Sequence, residues 1–225
     1  QVAIKIQTQP GDQLICDHYS HIYHYEGGGV SFNSGVSCKM IQGDRGRISS
    51  SQIKECINPP DFYHSPKTSL VCIENTTNKG GGACWSIEDL KTIKDVCKEN
   101  NLKYHLDGAR IWNAVVKKNQ NFSQFGDLFD TISVCLSKGL GCPVGSLLLC
   151  SDKDFQEAIR IRKIFGGGMR QAGTIASAGI YALENNIERL SEDHRRAKIF
   201  AEAVAEMPKF SINLENVQSN IVFIG

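Results

Sequence analysis

Two charged side chains follow apolar stretches that are typical of buried strands. Asp107 comes directly after the run Lys103–Leu106, and Lys138 comes after Ser133–Ser137. Open α/β sheets collect their ligand-binding groups at the carboxyl ends of their strands, so we expect this carboxylate and this amine to share one edge of a sheet. A lysine that forms a Schiff base and an acid that keeps a pyridine nitrogen protonated are the two demands of pyridoxal 5'-phosphate (PLP). The pair therefore predicts a PLP site.

Each of these residues also has a simpler interpretation. A lysine in a glycine-rich turn is usually a solvated surface residue, and Asp107-Gly108 is a common turn dipeptide. Arg110 could bind a substrate carboxylate or a phenolic oxygen through its planar fork, or could form a structural salt bridge with Asp107. The similar placement of Lys138 and Asp107 after two buried strands favours the functional interpretation, with an amine whose pKa is lowered by desolvation or by nearby positive charge.

The elements that must position these residues alternate between short apolar runs and helical patterns, which predicts βαβ units around a mostly parallel sheet. The predicted strands are Gln13–Asp17, Val36–Ile41, Ser69–Glu74, Lys103–Leu106, Thr131–Leu136 and Ser146–Cys150. The predicted helices run from the capping serine Ser86 to Asn100 and over Asp152–Lys163, Ala172–Asn186 and Glu192–Met207. The link through Gly141–Gly145 is too short for a helical crossover, so the last two strands are predicted to be antiparallel.

Composition and charge exclude several classes of function. The net charge of +1 comes from interspersed acidic and basic residues, which argues against a nucleic-acid partner or a membrane-surface partner. No apolar run approaches the roughly 20 residues that cross a bilayer. The nine cysteines include no Cys-x-x-Cys pair, so no metal site is predicted. Their scattered positions in apolar runs favour a reducing compartment, and we expect a cytoplasmic protein.

The two ends of the sequence predict an incomplete domain. Gln1–Ile6 resembles the end of a helix without its start, and a strand pattern begins after Pro208 and continues into Asn220–Ile224. We therefore expect residues 1–207 to form a large PLP-binding domain that lacks its N-terminal part, and residues 208–225 to begin a smaller C-terminal domain.

Three segments together resemble the L-threonine aldolases of the low-specificity type. They are His105–Ala114, Ser137–Ser146 and Gly166–Gly173, and they occur in the same order as in that family. The family belongs to the PLP-dependent superfamily with the aspartate-aminotransferase-like fold (fold type I). The resemblance implies a three-layer α/β/α domain with a mostly parallel sheet and one antiparallel strand.

The resemblance also implies roles for individual residues. Lys138 matches the lysine that carries the cofactor, Asp107 the partner of the pyridine nitrogen, and Arg110 the arginine near the substrate carboxylate. The segment Ser20–Gly28 matches the one whose histidine stacks on the cofactor ring, which gives that role to His21. Further basic family positions near the active site match Lys163, for substrate, and Arg170, for cofactor.

The sequence departs from the family at Thr77. Members commonly have a histidine there that is associated with the substrate β-hydroxyl, and threonine is a poor base near neutral pH, so His21 or a water molecule could take the proton instead. Two other family elements, the loop that binds the PLP phosphate and a second carboxylate-binding arginine, would lie before Gln1 and after Gly225. The glycines of Gly166–Gly168 lack the spacing of a phosphate-binding loop.

The resemblance implies aldol cleavage of L-threonine or L-allo-threonine to glycine and acetaldehyde, in a homodimer or homotetramer with active sites at the subunit interface. Alternatives on the same fold are a β-eliminating lyase, an enzyme similar to glycine hydroxymethyltransferase, and a catalytically silent homologue. A nicotinamide-dependent oxidoreductase is a further alternative, against which the missing glycine fingerprint counts.

Overall fold

The computed structural model describes residues 1–225. Its centre is a single six-stranded sheet. The spatial order of the strands is β2-β1-β3-β4-β5-β6. The first five strands are parallel, and β6 pairs with β5 in the antiparallel direction. In chain order the strands are β1 Gln13–Asp17, β2 Ser37–Ile41, β3 Thr68–Glu74, β4 Lys103–Gly108, β5 Thr131–Cys135 and β6 Ser146–Cys150.

Ten α-helices connect or flank these strands. They are α1 Val2–Gln7, α2 His21–His24, α3 Gly29–Ser34, α4 Ser50–Cys56, α5 Ile87–Glu99, α6 Ile111–Lys118, α7 Ser123–Leu128, α8 Asp152–Ile164, α9 Gly173–Asn185 and α10 Leu190–Ala205. None of them is long and apolar enough to span a lipid bilayer.

The buried side chains lie on both faces of the sheet. Ile15, Val71 and Leu106 face a large cluster that includes the apolar stripe of α5, whereas Leu14 and Cys72 face a smaller cluster with α1 and α3. Successive residues of a strand point to opposite faces, so a strand with helices on both sides must be apolar throughout. These contacts confirm the predicted α/β fold with helices on both sides of a mostly parallel sheet.

The strand order creates one crevice at the carboxyl edge of the sheet. From β1 the chain moves outward to β2, and from β3 it moves in the opposite direction through β4, β5 and β6. The segments that follow β1 and β3 therefore diverge and leave a gap between them, and such switch points are where open α/β sheets bind ligands.

The segment after α10 differs from its prediction. Residues 208–225 contain a 3₁₀ helix at Leu214–Asn216 and no strand. The Ser219 hydroxyl donates to the Gly82 carbonyl oxygen at 2.9 Å, and Arg45 Nη2 donates to the Asn216 carbonyl oxygen at 2.6 Å. The predicted strand is wrong because the apolar residues here pack on the loop after β3 and join no sheet edge.

Candidate active site

Three sequence-predicted residues lie together at the carboxyl edge of the sheet. Asp107 is near the end of β4, Lys138 is in the turn after β5, and His21 begins α2 just after β1. Burial raises the pKa of Asp107, and the nearby charges of Lys138 and His21 act in the opposite direction. The structure thus brings the acid, the amine and the imidazole into one electrostatic environment.

The thiol of Cys135 is close enough to both Lys138 and Asp107 for their charges to affect it. Burial raises the pKa of this thiol, Lys138 opposes the rise both as a charge and as a hydrogen-bond partner, and Asp107 adds to it. Because the charges of both the Lys138 amine and the Asp107 carboxylate affect this thiol, the two groups lie in the same region of the structure. The side chain of Lys138 itself is exposed, so the desolvation expected for a nucleophilic lysine is absent in this chain alone.

The turn that carries Lys138 has well-defined backbone contacts. Leu136 N donates to the Gly145 carbonyl oxygen at 3.0 Å, and Gly141 N donates to the Lys138 carbonyl oxygen at 2.9 Å. Asn186 Nδ2, at the end of α9, donates to the Leu140 carbonyl oxygen at 2.8 Å. The antiparallel β5–β6 pair therefore holds this turn at its base, and α9 holds its far side.

Asp107 retains an unused acceptor. Its Oδ1 atom accepts from Ala109 N at 3.2 Å, and this is the carboxylate's only hydrogen bond. An acid of this kind, partly buried and without a paired cation, fits a ligand that presents a positively charged N–H group. A protonated pyridine is such a group, so the side chains present fit PLP.

His21 is held by two glutamates that the sequence reasoning missed. Glu26 Oε1 lies 2.9 Å from His21 Nδ1, and Glu74 Oε2 accepts from His21 N at 3.1 Å. Glu74 ends the apolar strand β3 in the way that Asp107 follows the apolar run of β4, and the two residues are opposite each other in the sheet register. The same pattern could therefore have identified Glu74.

Thr77 is enclosed by backbone. The side chain is buried, its hydroxyl has no hydrogen-bond partner, and it packs against Gly46 and Gly80, where any added Cβ would touch it. The segment Asn75–Thr77 contains further unpartnered polar side-chain atoms, both amide atoms of Asn75 and the Thr76 hydroxyl. A buried polar group without a partner is uncommon in folded proteins and marks a place where a ligand or water can bind.

The remaining predicted residues occupy different positions. Arg110 occupies the N-cap position of α6 without a capping side-chain hydrogen bond, and its charge opposes the raised pKa of Glu74, which places it near the crevice. Lys163 lies in the last turn of α8 and Arg170 in the loop that follows, and both side chains are exposed. Neither forms a hydrogen bond or ion pair with the other predicted residues, so the structure does not bring these two into the group.

The chain is similar to known proteins in both sequence and fold. A model of the beta-eliminating lyase family matches residues 1–225. The chain is 36% identical over 218 residues to the low-specificity L-threonine aldolase 1 of Arabidopsis thaliana, covering 95% of this chain and 60% of that protein. It is 40% identical over 206 residues to the low specificity L-threonine aldolase of Escherichia coli (strain K12), covering 91% of this chain and 61% of that protein.

The chain spans about three fifths of the length of these relatives. Among solved structures, the Leishmania major threonine aldolase superposes with a TM-score of 0.79 at 20% identity, covering 94% of this chain and 62% of that chain. A Thermus thermophilus aspartate aminotransferase superposes with a TM-score of 0.73 at 14% identity, covering 99% and 56%. These likenesses confirm the predicted fold type I architecture.

Proposed function

The chain belongs to the beta-eliminating lyase family, and from this membership we propose that the protein uses PLP to cleave L-threonine or L-allo-threonine into glycine and acetaldehyde. The observation that carries the proposal is the convergence of Lys138, Asp107 and His21 at the carboxyl edge of the sheet, where its switch point lies. The names of the relatives point to the same substrate class.

Three residues would hold the cofactor. PLP, when bound, supplies an electron sink for the pair of electrons that the breaking Cα–Cβ bond releases. Lys138 would hold the aldehyde end of the cofactor through its amine, the free oxygen of Asp107 would accept from the pyridinium N–H, and the ring of His21 would pack against the cofactor ring. Arg170 would add a positive charge for the cofactor.

Arg110 would bind the substrate carboxylate. Its guanidinium stands at the start of α6, two residues beyond the end of β4, and its planar fork can make two parallel hydrogen bonds to a carboxylate. Holding the carboxylate would fix the rotation about the Cα bonds and so orient the bond to be broken. Lys163 would contribute a second positive charge for the substrate, and Thr77 would contribute a hydroxyl.

His21 would take the proton of the substrate β-hydroxyl. With Nδ1–H donating to Glu26 Oε1 at 2.9 Å, the lone pair of Nε2 is free to accept. The hydroxyl proton moves to Nε2, a carbon–oxygen double bond forms at Cβ, and the Cα–Cβ bond breaks to release acetaldehyde. This assignment gives His21 the role of the histidine that the family has at the position of Thr77.

The replacement of Lys138 by alanine tests the proposal. We expect Lys138→Ala to lose the visible absorbance of covalently bound cofactor and nearly all threonine cleavage, because Lys138 is the lysine whose charge acts on Asp107. The matched control is Lys91→Ala, whose exposed side chain lies on α5. An unchanged spectrum and unchanged acetaldehyde release in the Lys138 variant would remove the basis of the proposal.

A β-eliminating lyase is the second candidate, because the matching family model carries that description. The products separate the two reactions. Acetaldehyde and glycine from threonine identify aldol cleavage, whereas a keto acid and ammonia identify elimination.

Assembly, compartment and domain limits are part of the same proposal. We infer a homodimer or homotetramer that completes the site around the exposed Lys138, Lys163 and Arg170 at a subunit interface. The nine free cysteines support a reducing compartment, the cytoplasm. The end of α10 at Ala205 supports a boundary between the large domain, residues 1–207, and the start of a smaller one.

A further inference from the structure

We propose that Glu74 is a positioning residue whose ionised carboxylate clamps the His21 segment and the loop at Asn78 across the crevice between β1 and β3. The inference rests on the function proposed above, because it concerns the placement of His21 against the cofactor and the substrate.

One carboxylate joins two segments that leave the sheet in different directions. Glu74 Oε2 accepts from His21 N at 3.1 Å, and Glu74 Oε1 accepts from Asn78 N at 2.6 Å. His21 follows β1, whereas Asn78 follows β3, so the pair of bonds spans the switch point itself. Glu74 is only 6% exposed, and its backbone oxygen accepts from Trp85 Nε1 at 2.9 Å.

The bond to His21 fixes the backbone where a catalytic imidazole must be placed. The ring of His21 also contacts Glu26 through Nδ1, so the backbone bond and the ring bond together determine where Nε2 points. The bond to Asn78 fixes the loop that carries Thr77. A single side chain thus controls two of the residues that are proposed to touch cofactor or substrate.

The charge of this clamp is sensitive to pH near neutrality. Burial, together with Asp107 on the adjacent strand, raises the pKa of Glu74 to about 7, and the amides of Asn78 and His21 and the Arg110 guanidinium oppose the rise. Hydrogen bonds to an ionised acceptor are roughly twice as strong as those to a neutral one. Protonation of Glu74 therefore weakens both bonds, and the His21 segment loses its fixed position on the acid side of neutrality.

Amide proton shifts of the whole protein test the clamp without an activity assay. The protein is labelled with ¹⁵N at histidine and asparagine, and the amide shifts of His21 and Asn78 are followed from pH 5 to pH 9 without cofactor. We expect both to titrate with one midpoint near 7, and we expect this titration to vanish in Glu74→Gln. In Asp107→Asn the midpoint should move to lower pH, because Asp107 raises the pKa of Glu74.

Steady-state kinetics of the cofactor-loaded protein give the second readout. Glu74→Gln should lower kcat for threonine cleavage on the order of tenfold to a hundredfold, with a smaller change in KM, because one charge-assisted bond is lost. The acid limb of the kcat profile near pH 7 should disappear in this variant and persist in Glu74→Asp. Glu88→Gln, at an exposed position of α5, should match the wild type in both respects.

The results separate this inference from the proposed function. Wild-type amides without a common midpoint, or a folded Glu74→Gln protein with the wild-type titration and pH profile, would overturn the role of Glu74. If Glu74→Gln does not fold, the wild-type amides decide by themselves. Absence of threonine cleavage by the wild type would count against the proposed function, while the amide titration would still test the clamp.

Discussion

At the scale of single residues, burial on neighbouring strands sets which groups carry charge. Burial raises the pKa of Asp107 and Glu74, and it lowers the pKa of His105 to about 3. His105 lies on β4 with its ring facing Thr131, whose hydroxyl is 2.7 Å from Nδ1. Burial therefore disfavours the charged forms of both acids and of this base within a few residues of each other, since removal from water penalises either charge.

His105 predicts a specific dependence of stability on pH. Its pKa is about 3 in the folded chain and about 6.5 when unfolded, so the unfolded state binds the extra proton between these values. The free energy of unfolding should fall as the pH drops below about 6.5, by several kcal/mol on the order-of-magnitude linkage estimate. His105→Gln should flatten this decline relative to wild type in urea unfolding at pH 7 and pH 4.5.

The control for this prediction is His64→Gln, because His64 is exposed. Glu74 and Asp107 contribute the opposite slope, since acids with a raised pKa lose stability as the pH rises. Both acids are present in all three proteins, so their contribution cancels in the differences. Equal slopes for wild type and His105→Gln would contradict the assignment.

The site residues that can be predicted from sequence are those that come at the end of a predicted strand. Asp107 and Lys138 follow buried runs, and the sequence places them correctly at one edge. Glu74 follows the same pattern, but the pattern alone does not identify it as a site residue. A glutamate before a polar loop is usually a solvated surface residue. The contact of Glu26 with His21 depends on how a four-residue helix folds back, which no local pattern specifies.

At the scale of elements, two helices begin with the same short motif and differ in their capping contacts. Ser86 precedes α5 and Ser151 precedes α8, and each is followed three residues later by an aspartate. Both hydroxyls donate to that aspartate at 2.7 Å, but only the Ser86 hydroxyl also accepts from the aspartate backbone amide, at 3.1 Å. Accepting a free amide at a helix start is the stabilising part of a cap.

The two serines therefore form a matched pair of variants. Ser86→Ala should lower the free energy of unfolding by about 1 kcal/mol, because Asp89 N loses its acceptor. Ser151→Ala should cost clearly less, because no helix amide loses a partner. The comparison requires urea unfolding of both variants under one condition, and a larger loss in the Ser151 variant would count against the capping argument.

Long elements were predictable and short ones were not. All six strands lie within two residues of their predicted limits, and α5 begins after Ser86 as its cap indicates. The six- to eight-residue helices α4, α6 and α7 were not predicted. A helix of two turns shows too little periodicity, and its stability comes mainly from tertiary packing rather than from its own sequence.

At the scale of the whole molecule, the last residues of the chain cover the loop that follows β3. Besides the bonds from Ser219 and Arg45, Cys84 N donates to Gln218 Oε1 at 3.1 Å. Gly82 has a positive φ of 71°, and a Cβ atom on it would overlap the Ser219 hydroxyl. Thr77 lies in the same loop, so the packing of residues 208–225 also stabilises a segment of the candidate site.

Replacing Gly82 tests this packing. Gly82→Ala should lower the free energy of unfolding by roughly 1–3 kcal/mol and should make residues 208–225 more sensitive to limited proteolysis, because Ser219 must move. Gly11→Ala is the control, since Gly11 also has a positive φ of 92° but no neighbouring atom within 4 Å. Equal protease sensitivity of the two variants would mean that backbone strain alone explains the effect.

The anchored turn of Lys138 has a consequence for affinity. Two antiparallel strands close the base of this turn. The side-chain amide of Asn186, at the end of α9, donates to the Leu140 carbonyl oxygen near its tip. A ligand that bonds to this amine meets a backbone that is ordered beforehand, so little conformational entropy is surrendered on association. What remains to be immobilised is the side chain alone, about 2 kcal/mol of rotamer freedom at most for a lysine.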